Sequence, residues 1–380
     1  MNENNKKKII VVSAVNIYEG GTLKVMQDCL KSLSAFLLSN YKNTFRILAL
    51  VHDEALYDKY DGVEYVCFPK ARKTWFHRMY YEFWEFRKFS LRKSIYLWLS
   101  MHDISPNVVA ERRVVYCHNP SPFYKPQIKD LFYDYRFFLF TLFYSYLYAL
   151  NIKKNTYVVV QQNWLRNCFE KKYKINNVIV SFPNKQEQNL PAPILPPSVF
   201  YENKKKRFFY PSLPRTFKNF ELIGEAVKIL NSEGVSNFEV LLTIDGSENK
   251  YAKYIYNKYK HLESVCFVGL QSRSQMNQQY MDTDCVIFPS KLETWGLPIS
   301  ETKSYNKPIL LVNLPYAKES IGEYDYVKFF DSDNSNYLAY IMFEFIKGNI
   351  QYDQTTIMGY KYPFSNNWED MFSILLSSKI

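Results

Sequence analysis

Two glutamates, Glu293 and Glu301, stand with seven residues between them in the segment FPSKLETWGLPISETKSYNKPILLV, residues 288–312. The segment reads as a strand end at Phe288-Pro289-Ser290, a loop holding Glu293, and a helix begun by Gly296-Leu297-Pro298. Proline suits a first helical turn, and the unpaired N–H groups of such a turn can receive a phosphate. Glu301 falls early in that helix, so both carboxylates can reach one ligand from the same strand end. The plainer alternative is that they only answer the helix dipole.

A second chemical group lies upstream. In YPSLPRTFKNFELIGEAVKIL, residues 210–230, Arg215 and Lys218 precede an amphipathic helix and form either a solvated basic loop or a grip for an anion. His118 follows a short strand in Tyr-Cys-His-Asn-Pro, and His102 in Leu-Ser-Met-His-Asp competes with it as an active-site histidine. Gly269 ends a strand and Gly20-Gly21 sits at the first strand-to-helix loop, where glycine lets backbone approach a ligand or simply turns the chain. The dinucleotide fingerprint is absent. Asp282-Thr-Asp284 and Asp331-Ser-Asp333 have the spacing of a metal–diphosphate motif. They fall at a helix-to-strand turn and a helix cap, and neither is assigned a metal.

These residues need strand ends to hold them. Strands are expected at 8–12, 45–51, 63–68, 114–117 and 157–161. A second series is expected at 207–210, 238–244, 265–268, 285–288, 308–312 and 327–330. Leu23, Met26, Leu30, Leu33 and Leu37 share a helical face, as do Phe220, Ile223, Val227 and Leu230. An aromatic helical region is expected over 75–100. The alternation predicts parallel sheets covered by helices. Pro191, Pro193, Pro196 and Pro197 mark a linker. The expected organisation is a Rossmann-like domain at 1–183, a linker at 184–206 and a second Rossmann-like domain at 207–363. The two face each other across a cleft, with ligands at the carboxyl ends of strands. Trp368, Met371, Phe372 and Leu375 give a last helix, about 364–380, an apolar face with which to pack on the first domain.

The length of 380 residues suits two cores. The net charge of +11 is uneven: residues 1–200 hold 28 Lys/Arg against 16 Asp/Glu, and residues 201–380 hold 20 against 21. An anionic partner is therefore expected at the first half. Basic and aromatic residues interleave over 70–98, a pattern suited to an anionic lipid surface and also to RNA. The six cysteines, at 29, 67, 117, 168, 266 and 285, form no C-x-x-C pair, and those in apolar strands read as buried free thiols. Residues 131–151 are apolar over a membrane-spanning length, but Asp134 and Arg136 lie inside them and favour a buried or interfacial helix. Without a signal peptide at its start, the chain is expected in the cytoplasm.

The order of strand, Pro-Ser, Glu293, Gly-Leu-Pro, Glu301 and Lys-Pro-strand resembles the E-x7-E signature of retaining GT-B glycosyltransferases. Family 4, within the glycosyl transferases group 1, is the nearest in pattern. The resemblance covers about 207–347 and is diffuse over 1–183. It implies that Glu293 faces the transferred sugar and Glu301 accepts the ribose hydroxyls of a nucleoside-diphosphate sugar. Trp295, Gly296 and Leu297 then offer backbone amides, and Arg215 and Lys218 grip the diphosphate. Two fixed cations can stabilise a departing diphosphate, so no metal cofactor is expected. By the same resemblance Gly269 flanks the base, Gly20 and Gly21 cover the donor phosphates and acceptor, and His118 stands near the reacting sugar. Trp295 departs from the family, which usually has a smaller aromatic there. The implied acceptor is a glycan or lipid-linked saccharide in bacterial surface polysaccharide synthesis, with the enzyme peripheral on the inner face of the plasma membrane. No nucleic-acid partner is expected. A nucleotide-sugar epimerase of the same fold and a non-catalytic basic adaptor are the alternatives.

Overall fold

The computed structural model describes residues 7–42, 44–182 and 205–377. The first sheet is built from β1 (Lys8–Ser13), β2 (Phe45–Val51), β3 (Val63–Cys67), β4 (Ile95–Ser100), β5 (Arg112–Cys117), β6 (Tyr157–Val160) and β7 (Val178–Ser181), with a late strand described below. The second contains β8 (Lys206–Tyr210), β9 (Phe238–Leu242), β10 (Val265–Phe267), β11 (Cys285–Phe288), β12 (Ile309–Val312) and β13 (Val327–Phe330). The chain then contributes β14 (Phe364–Ser365) to the far edge of the first sheet.

Among the described residues all strand pairs are parallel. The orders are β14-β7-β6-β5-β4-β1-β2-β3 and β10-β9-β8-β11-β12-β13. Each sheet therefore reverses its winding once, between β1 and β4 and between β8 and β11. At such a reversal the connections leave on opposite faces and open a crevice beyond the strand carboxyl ends. Both sheets are Rossmann-like, and their central strands are buried on both faces, as covered parallel strands must be.

Helix Gly20–Asn40 buries Met26, Leu30, Leu33 and Leu37 against the first sheet. Helix Trp368–Leu376 buries Trp368, Met371, Phe372 and Leu375 in the same cluster, where the Phe372 and Phe36 rings lie 5.8 Å apart. Helix Phe220–Ser232 buries Phe220, Ile223, Val227 and Leu230 in the second domain.

Three expectations need correction. Residues 95–100 form β4, the central strand beside β1, and helical structure ends at Leu91. The run Ile-Tyr-Leu-Trp-Leu-Ser is apolar without a break, so its period cannot separate a buried strand from a buried helix, and its β-branched and aromatic content favours the strand. Residues Tyr124–Leu142 group with Glu187–Gly359, so the first unit consists of Met1–Phe123, Phe143–Gln186 and Tyr360–Ile380 and not of a continuous 1–183. Aromatic contacts draw that segment over: Phe137 and Tyr124 lie against Phe217, and Tyr133 against Tyr254. Cys67 is exposed, because β3 is the sheet edge, while Cys29, Cys117 and Cys285 are buried. The proline-rich linker falls almost wholly outside the described residues. The 131–151 stretch is interrupted at Asp134, between helices Ile128–Tyr133 and Tyr135–Ala149. Among the described residues no helix is long and apolar enough to cross a membrane.

Candidate active site

The second domain gathers the donor candidates at its winding reversal. β8 leads into the turn bearing Arg215 and Lys218, and β11 leads into the loop bearing Glu293. Two hydrogen bonds lock these neighbours together. The Lys291 N–H donates to the Phe217 carbonyl at 2.7 Å, and the Tyr210 hydroxyl donates to the Lys218 carbonyl at 2.6 Å. Tyr210 is fully buried between Phe220 and Phe288, so the turn is fixed to the sheet core. The Tyr316 hydroxyl holds the Ser290 carbonyl at 2.5 Å and fixes the other loop.

On this frame the Lys218 ammonium donates directly to Oε1 of Glu293. Both side chains are mostly buried, and Lys218 also lies over the Phe217 and Phe288 rings at 5.6 and 6.0 Å. A cation and a carboxylate are thus presented together at one strand end. Arg215 lies further out and donates to Oδ2 of Asp134 at 2.7 Å.

Helix Leu297–Ser304 begins at Gly296, which has φ +73° and supplies no side-chain cap. A Cβ there would approach Ile299 Cδ1 to 3.0 Å, so the left-handed turn and the packing both favour glycine. Trp295 is anchored by its indole N–H to Ser300 Oγ at 3.0 Å, and its carbonyl accepts from Ser320. Leu297 is exposed at the helix start.

Glu301 is 9% exposed and already engaged on both oxygens. Oε1 accepts from Arg273 at 2.6 Å and Oε2 accepts from the Tyr280 hydroxyl at 2.8 Å. Burial, reinforced by Glu301, pushes the Tyr280 phenol well up, so it remains a donor. Sequence reasoning singled out neither Arg273 nor Tyr280. The available signal was the capping box Ser272–Gln275, which puts Arg273 on the first turn of a helix just past Gly269. Gly269 has φ +66° and sits against Asp245, whose Oδ2 would lie 3.1 Å from an added Cβ.

In the first domain, Asp103 organises the ends of β4 and β5. With φ +72°, its Oδ1 accepts from the amides of His118 (2.6 Å) and Asn119 (3.1 Å) and from the Tyr148 hydroxyl (2.8 Å). The His118 Nε2–H donates to the Met101 carbonyl at 2.9 Å, and the ring lies 4.6 Å from that of Tyr116. Burial lowers its pKa, with Asp103 opposing. His102 is placed differently. It is buried, with Nε2 3.3 Å from both Ser13 Oγ and Glu82 Oε1, and Arg78 donates to its carbonyl at 2.7 Å. Burial holds His102 neutral and pushes the Glu82 carboxyl up to about 8, Arg78 opposing in the latter case, so the contact is one between neutral groups at pH 7. Gly20 and Gly21 open helix Gly20–Asn40, and a Cβ added at either would find no atom within 4 Å, so a substituent there meets open space. Gly20 itself, at φ +68°, requires the left-handed backbone.

One member of each Asp pair is engaged by a neighbouring residue. Asp284 Oδ2 accepts from the Arg207 amide at 2.8 Å and Asp333 pairs with Lys291. No three His, Cys, Asp or Glu side chains converge among the described residues.

Residues 194–361 match the family described as glycosyl transferases group 1. Among solved structures, a glycosyltransferase from Rickettsia africae superposes with a TM-score of 0.57 at 13% identity, covering 92% of this chain and 90% of its own. The lipopolysaccharide outer core galactosyltransferase WaaB, in its apo form, gives 0.58 at 14%, covering 91% and 92%. The Anabaena protein HepE, in complex with UDP-glucose, gives 0.54 at 12%, covering 90% of each. At such identities the likeness establishes the fold, which is GT-B. No curated protein matches the chain by sequence.

Proposed function

We propose, from the premise that this chain is a GT-B glycosyltransferase whose residues 194–361 belong to the glycosyl transferases group 1, that it moves a sugar from a nucleoside-diphosphate sugar with retention of anomeric configuration. The observation that carries the reading is the Lys218–Glu293 contact at the β8/β11 reversal, with the uncapped helix start at Gly296 beside it. As the sugar–phosphate bond breaks, negative charge grows on the diphosphate and positive charge on the sugar. Lys218, Arg215 and the helix-start amides meet the first, and Glu293 meets the second. Neither needs to reorganise during the reaction. Glu301, held in place by Arg273 and Tyr280, takes the ribose hydroxyls. Attack on the same face, assisted by the leaving phosphate, gives retention without a carboxylate nucleophile. His118 serves the reacting sugar. No metal is required.

The acceptor is proposed to be a glycan or lipid-linked saccharide of a surface polysaccharide, and the first domain to rest on an anionic membrane. WaaB, a lipopolysaccharide outer core galactosyltransferase, and HepE, which binds UDP-glucose, are consistent with that chemistry. The test is incubation with a panel of nucleotide sugars, followed by NMR of the new linkage. A product with inverted configuration refutes retention. Absence of hydrolysis or transfer with every donor, from folded protein, refutes the donor assignment.

A further inference from the structure

Arg215, the outer of the two proposed phosphate cations, is already occupied. Its NH1 donates to Oδ2 of Asp134 at 2.7 Å. Asp134 comes from the segment Tyr124–Leu142, which precedes the donor turn by some eighty positions yet groups with it. The segment is fixed to this turn on several sides. Phe137 and Tyr124 lie 5.1 and 6.2 Å from Phe217, the residue between the two cations' turn positions. Lys129 pairs with Glu221 at 3.1 Å, and Tyr133 lies 4.8 Å from Tyr254. Asp134 itself is pinned, because its Oδ1 accepts from the Phe137 amide at 3.0 Å and starts the following helix.

We propose that Asp134 is an internal anion that holds Arg215 in the empty enzyme and yields it to the diphosphate of the donor. The inference rests on the reading of Arg215 as a phosphate ligand. Two facts give the direction. The pair is one-to-one and solvent-accessible, with Arg215 55% and Asp134 23% exposed, so exchanging the carboxylate for another anion costs little. A diphosphate carries more charge than one carboxylate and can use the remaining guanidinium donors, which the Asp134 contact leaves available. Once Arg215 turns to the diphosphate, the Asp134 carboxylate loses its counter-charge and repels the bound anion. Asp134 thereby lowers affinity for any diphosphate, product as well as donor, and so speeds release of the nucleoside diphosphate after transfer.

The test is calorimetry of UDP, GDP, ADP and inorganic pyrophosphate on the full chain. Asp134→Asn and Asp134→Ser both keep an oxygen able to cap the Phe137 amide, and melting curves establish that they fold. Either change is expected to tighten the diphosphate that wild type binds by about two- to fivefold at low salt, the range of an exposed ion pair. The gain should shrink as salt rises and vanish in an Arg215→Ala background. Unchanged or weaker binding in both folded variants overturns the inference, as does an equal gain without Arg215. Wild type that binds no diphosphate at all overturns the donor reading and this inference together, whereas wild-type binding with no gain removes only the latter.

Discussion

Lys218 and Glu293 reach the site from different strands and are bonded directly to each other. In the proposed mechanism the pair ties a phosphate-side cation to a sugar-side carboxylate, so its two members should fail differently. Glu293→Gln keeps an acceptor for Lys218 but removes the charge that meets the developing positive sugar. It is expected to lower kcat about 100-fold while leaving the donor KM within a few-fold. Lys218→Ala should raise the Kd for nucleoside diphosphate about tenfold or more as well as lower kcat. Steady-state kinetics with calorimetry separate the two. Parallel losses of kcat and binding in both variants would end this division of labour.

Glu301 is expected to bear on binding and on stability together. Truncation to alanine removes the proposed ribose acceptor and strands the buried Tyr280 hydroxyl. A Kd increase of about tenfold and a stability loss of about 1–3 kcal/mol follow from one lost charged hydrogen bond and one unsatisfied donor. Glu301→Gln keeps an oxygen for Tyr280 and should recover much of the stability but little of the affinity. Calorimetry beside thermal melts checks this; full affinity in Glu301→Ala would remove Glu301 from the site.

How far the sequence reaches is visible at these same residues. The strand, loop and helix around Glu293 and Glu301 are local, so spacing and turn chemistry reveal them. Their partners are not local. Arg273 lies 28 positions from Glu301 and Asp134 81 from Arg215, and no periodicity links such pairs. The same limit explains β4. An unbroken apolar run states that a segment is buried and is silent on whether it pairs with β1 or packs as a helix. The segment Tyr124–Leu142 was likewise invisible as part of the second unit, because the rings that hold it there sit on Phe217, Tyr251 and Tyr254.

Metal independence is a third expectation. Arg215, Lys218 and the helix-start amides supply the positive end of the site in the proposed mechanism. Titration of UDP, GDP and ADP with and without EDTA should give the same Kd for whichever nucleotide binds. Binding that collapses with EDTA for every nucleotide would require a metal site in this mechanism.

Glu82 carries a fourth prediction, on pH. Its carboxyl is fully buried and raised from 4.5 to about 8. The native state therefore binds more protons than the unfolded state between those values. The stability from a neutral Glu82 is complete below about 4.5 and is lost as pH rises through about 8. His102, held well below 6.5, acts in the opposite sense, but only below 6.5. From pH 6.5 to 8 the Glu82 contribution is the one left of this pair, worth about 2 kcal/mol. Glu82→Gln, uncharged at every pH, should gain on wild type across that window in thermal melts. Parallel melting profiles from pH 6.5 to 8 would mean that Glu82 is already ionised in the fold.

The last prediction concerns the face by which the first domain is proposed to dock on a membrane. Helix Trp75–Tyr80, the π-helical turn Tyr81–Glu85 and helix Phe86–Leu91 run together, burying Arg78, Glu82, Phe86 and Ser90. The opposite side exposes Phe76, Tyr80, Trp84 and Leu91, with Phe76 87% and Trp84 59% exposed. The Tyr80 and Trp84 rings are stacked, 6.5 Å apart. Lys73, Arg87, Lys88 and Arg92 are exposed in the same run. Aromatic rings at headgroup depth with cations beside them fit an anionic bilayer, each cation contributing about 1 kcal/mol near such a surface. Several together would give reversible, salt-sensitive attachment without a spanning helix. In co-sedimentation, wild type should bind vesicles containing phosphatidylglycerol and ignore phosphatidylcholine vesicles. Lys73, Arg87 and Lys88 changed to Glu should abolish binding at low salt. Phe76→Ser with Trp84→Ser should weaken it about tenfold or more even where the charges remain, because the apolar insertion is lost. A solvated basic face that only steers a soluble anion would respond to the charge reversals and not to the aromatic changes, and wild type that stays in the supernatant with anionic vesicles at low salt would exclude membrane docking by this face.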